Sequence, residues 1–337
     1  MFSTLAETRF APRWLHAWSV LTVGATVALL TLGAVVTTFR VGMADPIWPT
    51  VPWHLALIDW SEPNPGFLIE HSHRLAGYIV GCCILVLATG LWFSARRSWL
   101  KWLGVAALAG VLVQGLLGGF RVVLHARFGT GFAVLHGCFA QIVFSLLVSL
   151  AVLTSARFAV VSLPLEEAAG VRRWSLLLTA LVFVQLIWGA LVRHTNGALA
   201  QRLHLATAFA VVAAAVWFVH LVLTSPAARR VLGRTLIWLG ILLALQVLLG
   251  IESWLDKYAG VPMPEMRIPK TVGQASHRIA HVLVGSFILA TTVVQTVLVH
   301  SFSCEPKASA ESACLRLTAK QPDVRVSNNV SQLEGTA

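Results

Sequence analysis

The strongest constraint on this chain is a recurrence of apolar runs. Eight lie at roughly 16–38, 72–94, 100–120, 132–154, 174–194, 202–224, 233–254 and 275–301. Each reaches the roughly 20 residues that a helix needs to cross the hydrocarbon core of a bilayer. In lipid every backbone N–H and C=O must bond within its own segment, so helices are expected. Of the 337 residues 57% are hydrophobic and only 12% are charged, about half the charged share of a soluble domain. The expected fold is an all-α polytopic membrane protein, with eight transmembrane helices arranged as two pseudo-symmetric four-helix bundles.

The net charge of +11 would suit a nucleic-acid binder, but its distribution points to a membrane. Arg9 and Arg13 precede the first run. Arg96, Arg97 and Lys101 lie between the second and third, Arg157, Arg172 and Arg173 between the fourth and fifth, and Arg229, Arg230 and Arg234 between the sixth and seventh. All fall on one side, which the positive-inside rule makes cytoplasmic, together with both termini. The bilayer is therefore the expected partner and nucleic acid is not. The first run is too long for a cleavable leader and lacks a small-residue cleavage site. Cys82, Cys83 and Cys138 fall inside runs and Cys304 and Cys314 in the tail, so no outer disulfide is expected. From about Cys304 the tail is polar without apolar periodicity, and residues 304–337 are expected to be a disordered cytoplasmic tail.

A repeat organises the runs. Three odd-numbered ones end on Gln-x-x-x-Gly: "QGLLG" (Gln114–Gly118), "QLIWG" (Gln185–Gly189) and "QVLLG" (Gln246–Gly250). The first has the weaker "LLTLG", ending at Gly33. The even-numbered runs each carry a histidine near their outer start: His73, His136, His204 and His277. "SHRLAGYIVG" at Ser72–Gly81 and "SHRIAHVLVG" at Ser276–Gly285 match closely as strings. The chain thus reads as helical hairpins in two halves, residues 1–160 and 161–303, with four histidines at similar depth. Small residues at the odd helix ends allow close approach of a neighbour or a flat ligand.

Ionisable groups inside a membrane are costly and mark function. Histidines on facing helices of a bundle hold haem or metal, and two per half make one six-coordinate haem site. The natural pairs are His73 with His136 and His204 with His277. His281, one turn after His277 on the same face, can replace it or support it. Zinc or copper would call for clustered Cys or carboxylate ligands, and only Glu70 approaches that. Haem propionates need cations at the membrane boundary. Arg74 and Arg278 directly follow two of the histidines, and Arg121, Arg127, Arg193 and Arg202 lie at outer helix ends. His71 reads as an interfacial bystander, and His125 and His194 as loop-end residues within reach of a ligand. Glu70 is the unrepeated element. It precedes His73 by three residues, on one helical face, and a carboxylate beside a haem edge can accept a proton or stabilise a developing cation.

These motifs resemble the heme A synthase family, membrane enzymes that convert haem O to haem A for cytochrome oxidases. The likeness rests on Glu70-x-x-His73-Arg74, on His136 in "VLHGCFAQ", on "WGALVRHTNGALA" (Trp188–Ala200), on His204 in "RLHLATA", on His277-Arg278, and on "GAVVTTFRVGMADPIWP" (Gly33–Pro49). It spans roughly residues 15–300. The resemblance implies that the second half binds a haem b cofactor through His204 and His277, with Arg193 and Arg278 on its propionates. It implies that the first half holds haem O near His73 and His136, with Arg74 and Arg121. Glu70 would assist oxidation of the C8 methyl to a formyl group through a hydroxymethyl stage, with oxygen from water. It further implies a bacterial inner-membrane location with the haem sites toward the outer face. A haem O synthase and oxidase assembly factors are candidate partners, and a homo-oligomer is a candidate assembly. The family's outer-loop cysteine pair is absent here, so a mechanism through outer thiols is excluded. A two-haem electron-transfer subunit resembling a membrane cytochrome b is the principal alternative, and a transporter built on repeats the next. The unrepeated Glu70 favours the enzyme.

Overall fold

The computed structural model describes residues 11–45, 64–155, 158, 165–195, 197–258 and 268–300. The chain clusters into two units, Met1–Phe302 and Ser303–Ala337; the expected disordered tail falls in the second, outside the described residues. Among the described residues there are eight long helices and no strand: α1 Arg13–Thr38, α2 Pro65–Ser94, α3 Ser98–Val123, α4 Gly131–Leu153, α5 Leu165–Thr195, α6 Ala198–Thr224, α7 Pro226–Tyr258 and α8 Val272–His300. All eight are long and apolar enough to cross a membrane. A four-residue helical turn, His125–Phe128, links α3 to α4.

The chemistry of the sequence places the helix ends. α2 begins at Pro65, before the expected 72, because Asn64 caps it: its side chain accepts from the N–H of Gly66 at 3.0 Å and of Phe67 at 3.3 Å. Glu70, His71, His73 and Arg74 are thereby inside a helix and not in the loop before it. At the other end of α1 the N–H of Val41 reaches back to the carbonyl of Val36 at 3.1 Å, and Arg40 between them sits at φ 59°. This is a left-handed helix stop, where glycine is the usual residue. It reverses the chain and brings residues 41–45 over the first turns of α2. In lipid, hydroxyls find partners on their own helix: Ser19, Thr22 and Thr26 each donate to the carbonyl four residues earlier.

Packing is unequal along the helices. One apolar cluster joins Leu15, Ile84, Leu91, Leu100, Leu147 and Leu150, and a second joins Leu178, Phe218, Leu232, Leu239 and Ile288. Both lie toward the end that carries Arg96, Arg97, Arg172, Arg173, Arg229 and Arg230. There α2 and α3 approach closely, with a Cβ at Gly104 only 3.3 Å from the backbone of Ala88. Large apolar side chains such as Phe93, Trp102 and Trp238 face outward, as a lipid-facing surface requires. Toward the opposite end the helices separate around a cavity of about 2350 Å³, more than twice the roughly 1,000 Å³ of a large small-molecule site.

Candidate functional site

Four histidines point into this cavity, each seated on a glycine. A Cβ at Gly33, Gly118, Gly189 or Gly250 would lie 3.0, 3.2, 3.2 or 3.1 Å from Cε1 of His73, His136, His204 or His281 respectively. A Cβ there would press on the ring, which would have to give by a few tenths of an ångström. The glutamines of Gln-x-x-x-Gly work beside the glycines. Gln114 donates to the carbonyl of His136 at 3.0 Å and Gln185 to that of His204 at 2.9 Å. The amide nitrogen of Gln246 lies 3.4 Å from Nε2 of His281. Thr207 donates to the side-chain oxygen of Gln185. Nδ1 of His204 lies 3.3 Å from the Gln185 carbonyl, so with that nitrogen protonated Nε2 is left to accept or ligate. At the first seat Leu29 stands where the other three have glutamine.

The rings form two facing pairs. His73 and His136 have centroids 6.5 Å apart and planes 80° apart, and His204 and His281 have centroids 6.3 Å apart and planes 74° apart. Two imidazoles bonded to one iron at about 2 Å, with about 1.1 Å more from nitrogen to ring centre on each side, give centroids roughly 6.2 Å apart. Both pairs match that span, so the residues present fit a bis-histidine haem. Among the described residues, no three His, Cys, Asp or Glu side chains converge as a protein-built metal cage would need.

One expected pairing is corrected. The partner facing His204 is His281, not His277. His277 does not line the cavity; its side chain is 40% exposed, and its Nδ1 lies 3.7 Å from Asp256. The cause is register. The glycine notch of α7 falls at Gly250, which meets His281, one helical turn of about 5.4 Å deeper than the residue that string similarity aligns with His73.

The arginines also differ from expectation. Arg74 is expected on a propionate. Its guanidinium instead bonds Glu70 Oε1 at 3.0 Å, Asp45 Oδ2 at 3.1 Å and the Asp45 carbonyl at 2.5 Å. Arg193 donates through Nη2 to the Ala34 carbonyl at 2.7 Å, to Thr38 Oγ1 at 2.7 Å and to Thr37 Oγ1, and so ties α5 to the end of α1. Arg278 donates to the carbonyl of Asp256 at 3.3 Å and lines the cavity. Arg121 lies so close against Gly42 that a Cβ there would collide with it. Arg40, Arg74, Arg121, Arg193, Arg202 and Lys257 line the cavity too, with His194 among them, giving it a cationic rim.

Glu70 is buried, at 4% exposure, yet lines the cavity, and it is the one carboxylate among the described lining residues. Its Oε2 accepts the backbone N–H of Asp45 at 2.7 Å. His71, expected at the interface, is fully buried; its Nδ1 is 3.0 Å from Asp45 Oδ2 and its ring stacks on Phe67 at 5.5 Å. Asp45 was not singled out from sequence. A contact between a loop residue and a helix 25 residues later leaves no periodic trace.

Fold and site together define a class: a polytopic helical membrane protein whose cavity is lined by two facing histidine pairs. A family model described as COX15-CtaA, cytochrome oxidase assembly protein, matches residues 52–205, which include Glu70, His73, His136 and His204. Proteins named heme A synthase match as well. One from Listeria monocytogenes is 28% identical over 195 residues, 56% of this chain and 61% of that protein. One from Shouchella clausii is 29% identical over 189 residues, 54% and 60%. One from Alkalihalophilus pseudofirmus is 27% identical over 191 residues, 55% and 62%. The chain is thus similar to proteins named heme A synthase over a little more than half of its length. It spans about three fifths of the length of the curated relatives it matches.

Proposed function

We propose that this protein oxidises the C8 methyl of haem O to a formyl group, through a hydroxymethyl stage, yielding haem A. The observation that carries this reading is an asymmetry. Two histidine pairs of nearly equal span share one cavity, and its one carboxylate among the described residues, Glu70, stands beside the first pair only. In this reading His73 and His136 hold substrate haem O, and His204 and His281 hold haem b. The cationic rim, with Arg121, Arg202, Lys257 and Arg278, receives propionates. When bound, haem b supplies a one-electron redox centre.

The chain's own residues do the rest. The glycine seats fix the histidine rings. The apolar walls at Leu112, Leu116, Phe209 and Val212 limit water around the substrate. Glu70 accepts the proton lost from the methyl or faces the cationic carbon that water attacks. Each two-electron stage releases two electrons and two protons to an external acceptor and solvent. The first half, residues 1–160, is then the substrate half, and 161–303 the cofactor half. Both termini are cytoplasmic and the cavity opens toward the outer face of a bacterial inner membrane, with a haem O synthase and oxidase assembly factors as candidate partners.

The test is pigment extraction from membranes that express the chain with a haem O supply. Haem A is expected to appear, and Glu70→Gln is expected to abolish it while a low-spin haem b spectrum persists. Unchanged haem A in that variant would refute the role of Glu70. The near-equal pairs favour a second reading, a two-haem electron carrier, which predicts two low-spin haems and no haem A from the wild type.

A further inference from the structure

Around Glu70 the three polar groups of one loop residue are all engaged by a single stretch of α2. The N–H of Asp45 donates to Glu70 Oε2 at 2.7 Å. Its carbonyl accepts from Arg74 at 2.5 Å. Its carboxylate takes Arg74 at 3.1 Å and His71 at 3.0 Å. Arg74 closes the ring by holding Glu70 Oε1 at 3.0 Å. Asp45 and His71 are both fully buried. The left-handed stop at Arg40 is what delivers this loop to the helix.

We infer that Asp45, with Arg74, is a positioning clip for Glu70, and that Arg74 is therefore committed to the carboxylate and not to a propionate. Both oxygens of Glu70 are taken by donors that do not line up with its rotamer freedom by chance: one comes from the loop and one from the next turn of its own helix. A carboxylate so held keeps one orientation toward the cavity, which is what a group acting on a single methyl needs. Charge-assisted bonds of this kind are the stronger ones, and both side chains are mostly buried, Arg74 at 13% and Glu70 at 5% exposure. His71 serves as the outer brace of the Asp45 carboxylate. In the second half the comparable outer residues, Asp256 and Arg278, meet through a backbone carbonyl at 3.3 Å, and Asp256 is absent from the cavity wall. The clip belongs to the first site only.

This inference rests on the proposed role of Glu70, and two readouts on the purified full-length, haem-loaded protein separate the two. The first is kinetic. Asp45→Ala and Arg74→Lys are expected to lower the rate of haem A formation about 100-fold, the scale of a misplacement of about 1 Å. The haem O concentration for half-maximal rate and the haem b spectrum are expected to stay as in the wild type. Asp45→Asn keeps the N–H, the carbonyl and an oxygen acceptor, and is expected to recover much of the rate. The second readout is hydrogen exchange at the Asp45 amide, expected to accelerate about ten- to hundred-fold in Glu70→Ala and in Arg74→Ala. Unchanged exchange would show that the clip does not form. An Arg74→Lys protein with a raised half-maximal haem O concentration and normal maximal rate would return Arg74 to a propionate and overturn the inference. Loss of haem b in Asp45→Ala would make Asp45 a general structural residue and overturn it too. If exchange responds as expected but Glu70→Gln still makes haem A, the proposed role of Glu70 is what has failed, and the positioning role goes with it.

Discussion

Around His73 and His136 the cavity wall carries Glu70, gripped by Asp45 and Arg74 at 2.7 and 3.0 Å. Around His204 and His281 the described wall carries no carboxylate, and Asp256 on α7 lies 3.7 Å from a half-buried His277 outside the cavity. Yet the histidine seats themselves are alike, with notch distances within 3.0–3.2 Å and ring spans of 6.5 and 6.3 Å. One cradle has been used twice, and the difference in furnishing comes from Glu70 on α2 and from the residues just after α1 that hold it. The shared part suits holding a flat metal-centred ligand; the unshared part suits acting on one.

The largest expected effect tests the cradle in the second half. His281→Ala should abolish the low-spin haem b signal of the purified protein, since even partners one step removed from a metal cost about 10–100-fold in affinity. His277→Ala should leave most of it. An optical spectrum of each variant decides, and a reversed result would restore the pairing that string similarity suggests. The next test asks whether the two cradles are truly equivalent. Gly118→Ala and Gly189→Ala each place a methyl 3.2 Å from a histidine Cε1, an overpacking of about 1–3 kcal/mol. Each should weaken haem retention at its own pair by roughly ten-fold and to a similar extent, read by haem loss to an external acceptor protein. A strongly unequal response would mean that the resemblance of the seats is only geometric.

Much of this was legible in the chain before its structure. The eight spans follow from length and apolar content, and Gln-x-x-x-Gly at three helix ends marked the seats. The histidine depth followed from topology, since each even helix re-enters from the same side. What escaped was register and tertiary partnership. "SHRIAHVLVG" aligns His277 with His73 letter by letter, but the ring that enters the cavity is chosen by where Gly250 falls on α7, a relation between helices that a linear match does not contain. Arg74 and Arg193 were read as propionate partners at a membrane boundary. Burial makes a guanidinium seek partners, and the nearest were a carboxylate on one side and the end of α1 on the other. Asp45 carried no signal because its partners lie across a loop.

Arg193 gives a smaller effect that crosses the comparison. It sits one turn beyond Gly189, the seat of His204, and bonds the α1 turn at Ala34, Thr37 and Thr38, immediately after Gly33, the seat of His73. Arg193→Met removes those bonds and leaves buried acceptors behind, a loss of about 1–3 kcal/mol. Thermal unfolding should fall accordingly. The electron paramagnetic resonance signal of the haem at His73 and His136 should also shift, although the altered residue lies on α5. A change confined to the His204–His281 signal would show that the two seats are mechanically independent.

The smallest effect concerns the one seat that lacks its glutamine. At three seats a side-chain amide braces the histidine or its carbonyl: Gln114 at 3.0 Å, Gln185 at 2.9 Å and Gln246 at 3.4 Å. At the first, Leu29 offers no donor, and Nδ1 of His73 is buried with no side-chain partner. A histidine without that amide brace can turn more readily, which suits a ligand that must arrive as substrate and leave as product. Leu29→Gln supplies the missing brace at nearly the same volume. A net hydrogen bond of about 1 kcal/mol slows haem release from the first pair by about five-fold and leaves the second pair unaffected. Stopped-flow haem transfer reads both rates in one protein. Slower release together with a lower steady rate of haem A formation would tie the leucine to turnover. Unchanged release would mean that the asymmetry between the pairs resides in Glu70 and its clip alone.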